Sequence, residues 1–166
     1  MNNNIQQQTT INIQEKANLI WAIADKLVGI YKPHEYGNVI LPMCVIKRFE
    51  DTLAPTKQAV LDTNAKLDKD GIVVKKGFLE TAAGQQFYNL SPFTFQSLLN
   101  DPENIKENFE SYLNHFSENV IDIIHRMDFD RELQKMADNN VLYLVIKEFC
   151  TAKAYLGADV LTSVDM

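Results

Sequence analysis

The chain has 166 residues, 46% of them hydrophobic and 23% charged, with a formal net charge of −6. That is enough for one domain with a sizeable core, in a balance ordinary for a soluble globular protein. No apolar stretch reaches the ~18 residues of a membrane span, no basic-then-apolar leader opens the chain, and the acidic total argues against a stand-alone nucleic-acid binder.

Acidity is concentrated. Residues 101–138 hold ten acidic against four basic side chains, which accounts for the whole excess, whereas residues 13–60 hold six basic against five acidic. The N-terminal half is therefore free to approach a phosphate backbone.

Residues 1–10 are rich in Asn, Gln and Thr and offer little to bury, so residues 1–12 are expected to form a disordered tail ahead of a helical domain over 13–157. The first helix follows, with Ile13, Ala17, Ile20, Ala24, Leu27 and Tyr31 at helical spacing. Trp21 and Val28 widen that stripe, and Pro33 ends the helix.

The organising stretch is residues 31–53. An apolar run over 39–46, broken only by Pro42, ends in the charged cluster Lys47, Arg48, Glu50 and Asp51. The absence of strand alternation and a plausible N-cap at Asn38 predict a helix buried on most sides, around which the others pack. Pro55 suits the first turn of another helix over 54–67. Beyond the turn at 68–71, residues 72–80 read as a short hairpin or a loop.

Ser91-Pro92 and Asp101-Pro102 each pair an N-cap with a proline, predicting helices over 93–99 and 103–115. Ser117 would cap a helix carrying Val120, Ile121 and Ile124. A short helix over 130–136 and a longer one over 141–155 complete an all-α, irregular multi-helix bundle of about seven or eight helices.

Candidate sites are few. His34, His115 and His125 are too far apart for a helical metal pair, and Cys44 and Cys150 form no Cys-x-x-Cys, so neither a metal site nor a disulfide is expected. Buried free thiols fit a cytoplasmic protein. Acidic pairs such as Glu50-Asp51 read as solvated faces rather than acid–base dyads. The six glycines never come within three positions of one another, so no phosphate cradle is present and no catalytic or cofactor-binding residue is assigned. Lys47 and Arg48, with Lys32 and Lys57 nearby in sequence, are the candidates for contacting DNA phosphates or a partner. Trp21, Tyr31 and Tyr36 read as core aromatics rather than base-stacking platforms.

The order of several segments resembles a known family. Leu19-Ile20-Trp21-Ala22-Ile23-Ala24-Asp25-Lys26-Leu27, Tyr36-Gly37-Asn38-Val39-Ile40-Leu41-Pro42, Lys47-Arg48 and Leu53-Ala54-Pro55-Thr56-Lys57 are similar to the N-terminal helical domain of the modification subunit of type I restriction–modification systems. The likeness continues through Phe87-Tyr88-Asn89, Phe116-Ser117-Glu118-Asn119-Val120 and Asn140-Val141-Leu142-Tyr143. It implies a parent enzyme that transfers a methyl group from S-adenosylmethionine to the exocyclic amine of adenine. It also implies a DNA specificity subunit, a second modification subunit and a restriction subunit as partners, around double-stranded DNA.

Two departures qualify the likeness. The family's Asn-Pro-Pro-aromatic motif, which holds a flipped base, is missing because no two prolines are adjacent, and the glycine-rich cofactor motif is missing too. Residues 158–166 look like a lead-in to a catalytic domain cut short. The expectation is a non-catalytic docking and DNA-closure domain, inactive alone and without its own cofactor. The rival is a helical interaction module that uses the acidic face 101–138 and touches no nucleic acid.

Overall fold

The computed structural model describes residues 2–157, and among these the architecture is all-α, with no strand. The expected linker at 158–166 lies outside the described residues. The helices are α1 (Asn2–Leu27), α2 (Gly37–Leu53), α3 (Lys57–Lys69), α4 (Lys76–Ala83), α5 (Phe95–Leu98), α6 (Ile105–Asn114), α7 (Glu118–Arg126), α8 (Phe129–Asp138) and α9 (Leu142–Glu148). Short 3-10 turns at Pro33–Glu35, Ala54–Thr56, Pro102–Asn104 and Ala152–Ala154 join or extend them.

α2 is the hub the sequence predicted. It buries Val39, Ile40, Met43, Ile46 and Leu53, and it packs on α8 and on both flanking 3-10 turns. The helix starts at Gly37, with Tyr36 rather than Asn38 in the capping position, so Pro42 lies inside it. A proline there supplies no N–H to the carbonyl four residues earlier, at Asn38.

Beyond α2 the core is an aromatic nest. Phe95 makes edge-to-face contacts with Phe109, Tyr112 and Phe149 at centroid distances of 5.8, 5.9 and 6.3 Å. Phe109 in turn meets Phe129 edge-on at 6.4 Å, and Tyr112 meets Phe116 at 5.2 Å. Such geometries set each ring's positive edge against a neighbour's negative face, which orients the rings as well as burying them. The single-turn α5 is therefore an anchor, drawing α6 and α9 together through Phe95 and Leu98.

Several local expectations are corrected. α1 runs back to Asn2, through the stretch read as a tail; that stretch contains no Gly or Pro to stop a helix already fixed by packing further on. The buried face of α1 is Leu19, Ile23, Ala24 and Leu27, while Ile13, Ile20 and Trp21 face solvent, as does Val28 just past its end. The apolar residues of α1 cover more than one side, and the stripe chosen from spacing straddled two faces. Residues 72–80 form no hairpin: residues 72–75 are loop and the rest enters α4. Lys75 bonds Asp68 and Asn64, which folds the loop back onto α3.

α5 is capped by Thr94 and not by Ser91. Thr94 Oγ1 accepts the Ser97 N–H at 3.0 Å and Ser97 Oγ accepts the Thr94 N–H at 2.8 Å, a reciprocal box. Ser91 is wholly buried one turn earlier, its hydroxyl accepting the Phe93 N–H. The Asp101-Pro102 signal opens a 3-10 turn before α6 proper begins at Ile105.

Candidate functional site

The charged cluster ending the apolar run of α2 turns inward. Lys47 and Asp51 are each only 7% exposed, and Lys47 Nζ donates to both carboxylate oxygens of Asp51 at 2.6 Å. They sit four residues apart on one helix face. Asp51 Oδ2 also accepts the backbone N–H of Leu156 at 2.8 Å, and Arg48 Nη1 donates to the Leu156 carbonyl at 3.2 Å. Together with Lys16 Nζ donating to the Lys153 carbonyl at 2.7 Å, these bonds clasp residues 153–156 against α1 and α2. The expectation of a solvated acidic face at Glu50-Asp51 is thus corrected: the run of apolar side chains carries these charges into the core with it.

Lys57, at the start of α3, also points inward. Its ammonium donates to the Phe93 carbonyl at 2.7 Å and lies 5.4 Å from the centre of the Tyr112 ring. Burial lowers its pKa, and the Glu50 charge partly offsets this. Lys32 alone among the four sequence candidates is exposed, at the head of the Pro33–Glu35 turn, where its backbone N–H is taken by Glu35 Oε2 at 2.8 Å. Lys32, Lys47, Arg48 and Lys57 therefore do not form a shared solvent-facing patch. A phosphate could reach Lys47 only by displacing bonds that hold the fold together.

Glu50 is the residue that sequence reasoning passed over. Its Oε2 accepts the Phe95 N–H at 2.9 Å, tying α2 to α5, while Oε1 is enclosed and has no partner at hydrogen-bonding geometry. Burial holds its carboxyl above the usual carboxylate range. The Phe95 N–H, the nearby Tyr112 hydroxyl and the charges of Lys57 and Lys47 pull it partly back. No sequence signal separates Glu50 from its charged neighbours except its position, one residue before Asp51 on the same helix.

Cys44 and Cys150 are free and half-buried, and burial pushes both thiols up to about 11, which makes them poor nucleophiles. Among the described residues no group of three or more His, Cys, Asp or Glu side chains is placed to hold a metal. No described helix is long and apolar enough to cross a membrane.

Three outer surfaces contrast with this interior. On α1, Ile13, Ile20 and Trp21 stand exposed, Trp21 at 71%, and Val28 is exposed just past its end. Between α3 and α4, which pack chiefly on each other, Val73 and Val74 are exposed beside Lys69 and Lys76. Across α6, α7 and α8 the acidic residues Glu107, Glu118, Asp122, Asp130 and Asp138 face solvent.

Comparison with known proteins gives no match among curated proteins and none among solved structures. A family model described as the HsdM N-terminal domain matches residues 16–149, which is every helix from the body of α1 to the end of α9. With most of the chain matched in one continuous span, the chain belongs to the HsdM N-terminal domain family, the N-terminal domain of the modification subunit of type I restriction–modification systems.

Proposed function

We propose that this domain is the non-catalytic assembly part of an adenine-specific DNA methyltransferase subunit. It docks partner subunits and helps enclose DNA, while S-adenosylmethionine-dependent methylation of the adenine amine takes place elsewhere in the parent protein. A cytoplasmic complex with a DNA specificity subunit, a second modification subunit and a restriction subunit is the setting for that role. The observation that carries the reading is the family match over residues 16–149, joined to the exposed apolar face of α1. An aromatic of this size left in solvent, flanked by isoleucine and valine, has the character of an interface anchor.

The bonds that hold residues 153–156 against α1 and α2 support the same reading, because they give the domain a fixed surface there. Enclosure matters to such an enzyme, since the duplex must be held while one base leaves the stack. With Lys47 and Lys57 engaged internally, DNA-backbone contacts by this domain would fall to Lys32 and other exposed lysines, and they would carry no sequence information. The test is reconstitution of the full-length modification subunit, carrying Trp21→Asp, with its specificity subunit. Loss of co-elution, with the helical signature of the subunit intact, is the expected outcome. Full assembly and unchanged DNA binding would refute the role of the α1 face.

A second reading rests on the acidic surface of α6–α8. Its exposed carboxylates outnumber nearby cations, which suits docking of a basic protein surface without nucleic-acid contact. Gel shifts of the reconstituted complex with and without this domain separate the two, because only the first reading expects DNA affinity to fall.

A further inference from the structure

Among the described residues the two most exposed large apolar side chains stand together in the loop joining α3 to α4, Val73 at 88% and Val74 at 81%. The loop is braced on both sides of them. At the end of α3, Gly71 takes a left-handed φ of 71° and the Ile72 N–H donates to the Leu67 carbonyl at 2.9 Å, while Ile72 packs against the core. On the other side, Lys75 Nζ donates to Asn64 Oδ1 at 3.0 Å and pairs with Asp68. The valines therefore project from fixed points, and β-branching leaves each little rotamer freedom to lose on docking.

Their surroundings are basic. Residues 66–76 carry four lysines against two aspartates, in a chain whose net charge is −6. With Lys75 and Asp68 paired, Lys66, Lys69 and Lys76 remain exposed against Asp70, and Lys76 has only a long contact with Glu80, at 3.9 Å.

A groove of about 470 Å3 between the start of α6, the end of α8 and the start of α9 has the opposite character. Ile105, Leu142 and Tyr143 give it an apolar floor. Glu103, Glu107 and Asp138 stand exposed on its rim, and Lys106, the one cation of the lining, is turned to Glu110 at 3.1 Å. Such a rim repels a phosphate backbone or an anionic lipid surface. It suits an apolar knob on a cationic base, which is what the α3–α4 loop presents. The two are not joined within one molecule, since the valines stand in solvent.

We propose that the Val73-Val74 tip of one copy of this chain seats in the α6–α8–α9 groove of a second copy, with Lys69 and Lys76 facing the carboxylates of the rim. Tip and groove are different patches, so the contact is heterologous. Two valines bury little area, so it is weak and depends on copies held close together. The assignment uses neither the α1 face nor DNA, so its failure would leave the proposed function standing.

The test follows amide signals of the 15N-labelled chain as unlabelled chain is added up to ~1 mM, a local concentration that tethering within an assembly supplies. Signals of Val73, Val74, Ala137 and Tyr143 should shift together with concentration and return in high salt, which screens the rim charges. The tip variant Val73→Ser with Val74→Ser, and the groove variant Glu103→Lys with Glu107→Lys, should each lose the shift. Their spectra report directly that both remain folded. Mixing the two should restore one contact. Labelled tip variant, whose groove is intact, should shift at Ala137 and Tyr143 when unlabelled groove variant is added, and stay unmoved when more tip variant is added. The proposal is overturned if the wild-type signals do not depend on concentration, or if the mixture leaves the groove signals in place. It is overturned too if the tip signals answer to a short DNA duplex or phosphatidylserine vesicles and not to a second copy.

Discussion

Two charged stretches of this chain look alike in composition and end in opposite environments. Residues 47–51 of α2 and residues 101–138 of α6–α8 both mix acids and bases on helices. The first is drawn into the core, where Lys47, Asp51 and Glu50 bond one another's surroundings. The second leaves most of its carboxylates in water. The difference lies in what precedes the charges. α2 brings them in at the end of an apolar run broken only by Pro42, and Lys47 and Asp51 fall on the same side of the helix as the buried Met43, away from the exposed Asn38 and Leu41. α6, α7 and α8 are amphipathic, each with one buried stripe (Phe109, Tyr112 and Leu113 on α6, Val120 and Ile124 on α7, Leu133 and Met136 on α8), so a solvent side remains.

The sharpest way to break that comparison is Asp51→Ala. It strands the Lys47 ammonium without a counterion and removes the acceptor for the Leu156 N–H, so a loss of about 3–5 kcal/mol is expected in urea or thermal unfolding. Glu107→Gln and Asp122→Asn, on the exposed side, should each stay within about 0.5 kcal/mol. Equal effects at the two places would mean that α2 is not buried as described. Replacing both partners, Lys47→Met with Asp51→Leu, sharpens the point. The double variant should recover most of the loss, because a buried ion pair is often no better than packed hydrocarbon. A remainder of about 1–3 kcal/mol is expected for the unbonded Leu156 N–H.

Glu50 adds a pH dependence confined to the buried stretch. Its folded pKa is raised, chiefly by burial, so the native state holds this proton more tightly than the unfolded chain does. The contribution of Glu50 to stability is therefore greatest below the unfolded carboxyl value. It declines as pH rises from there through the folded value, then stays at its lower level. Glu50→Gln removes that decline. Unfolding measured for both proteins across a series of pH values should show wild type losing ground to the variant as pH rises through that window. Parallel curves would contradict the burial of the carboxylate.

The same contrast explains what was legible in the sequence. The hub role of α2, the all-α class and most helix positions follow from apolar spacing and from prolines at 33, 55 and 102, signals that tertiary packing had no reason to override. The inward turn of Lys47, Asp51 and Lys57 was not legible, because a Lys-Arg-x-Glu-Asp cluster reads as solvent-facing on every local rule. Only the surrounding aromatic nest, drawn from residues 95, 109, 112 and 149, makes the interior able to receive those charges. Thr94 was overlooked as a cap because Ser91-Pro92 offered a stronger local signal. The alternative cap won since Phe95 must reach the nest at the start of α5. The end of α4 was hidden for a different reason. Gly84 takes a left-handed conformation with φ of 68°, stopping the helix in a stretch with no proline to mark it.

The smallest expected effect concerns α1, where the sequence stripe and the buried stripe diverge. Trp21 is the chain's single tryptophan and was read as core, yet 71% of it is exposed, while Ile23, two residues on, is wholly buried. Ile23→Ala should therefore cost about 2–5 kcal/mol, and Trp21→Ala, despite deleting the larger side chain, no more than about 0.5 kcal/mol. The lone indole also reports on itself. Iodide should quench its fluorescence in the native protein almost as well as in urea, because an anion in solvent can reach an exposed ring on a helix surface. Strong native protection would move Trp21 into the core and remove the apolar face from the assembly argument. Native quenching that disappears only when the specificity subunit is added would place the partner on that face.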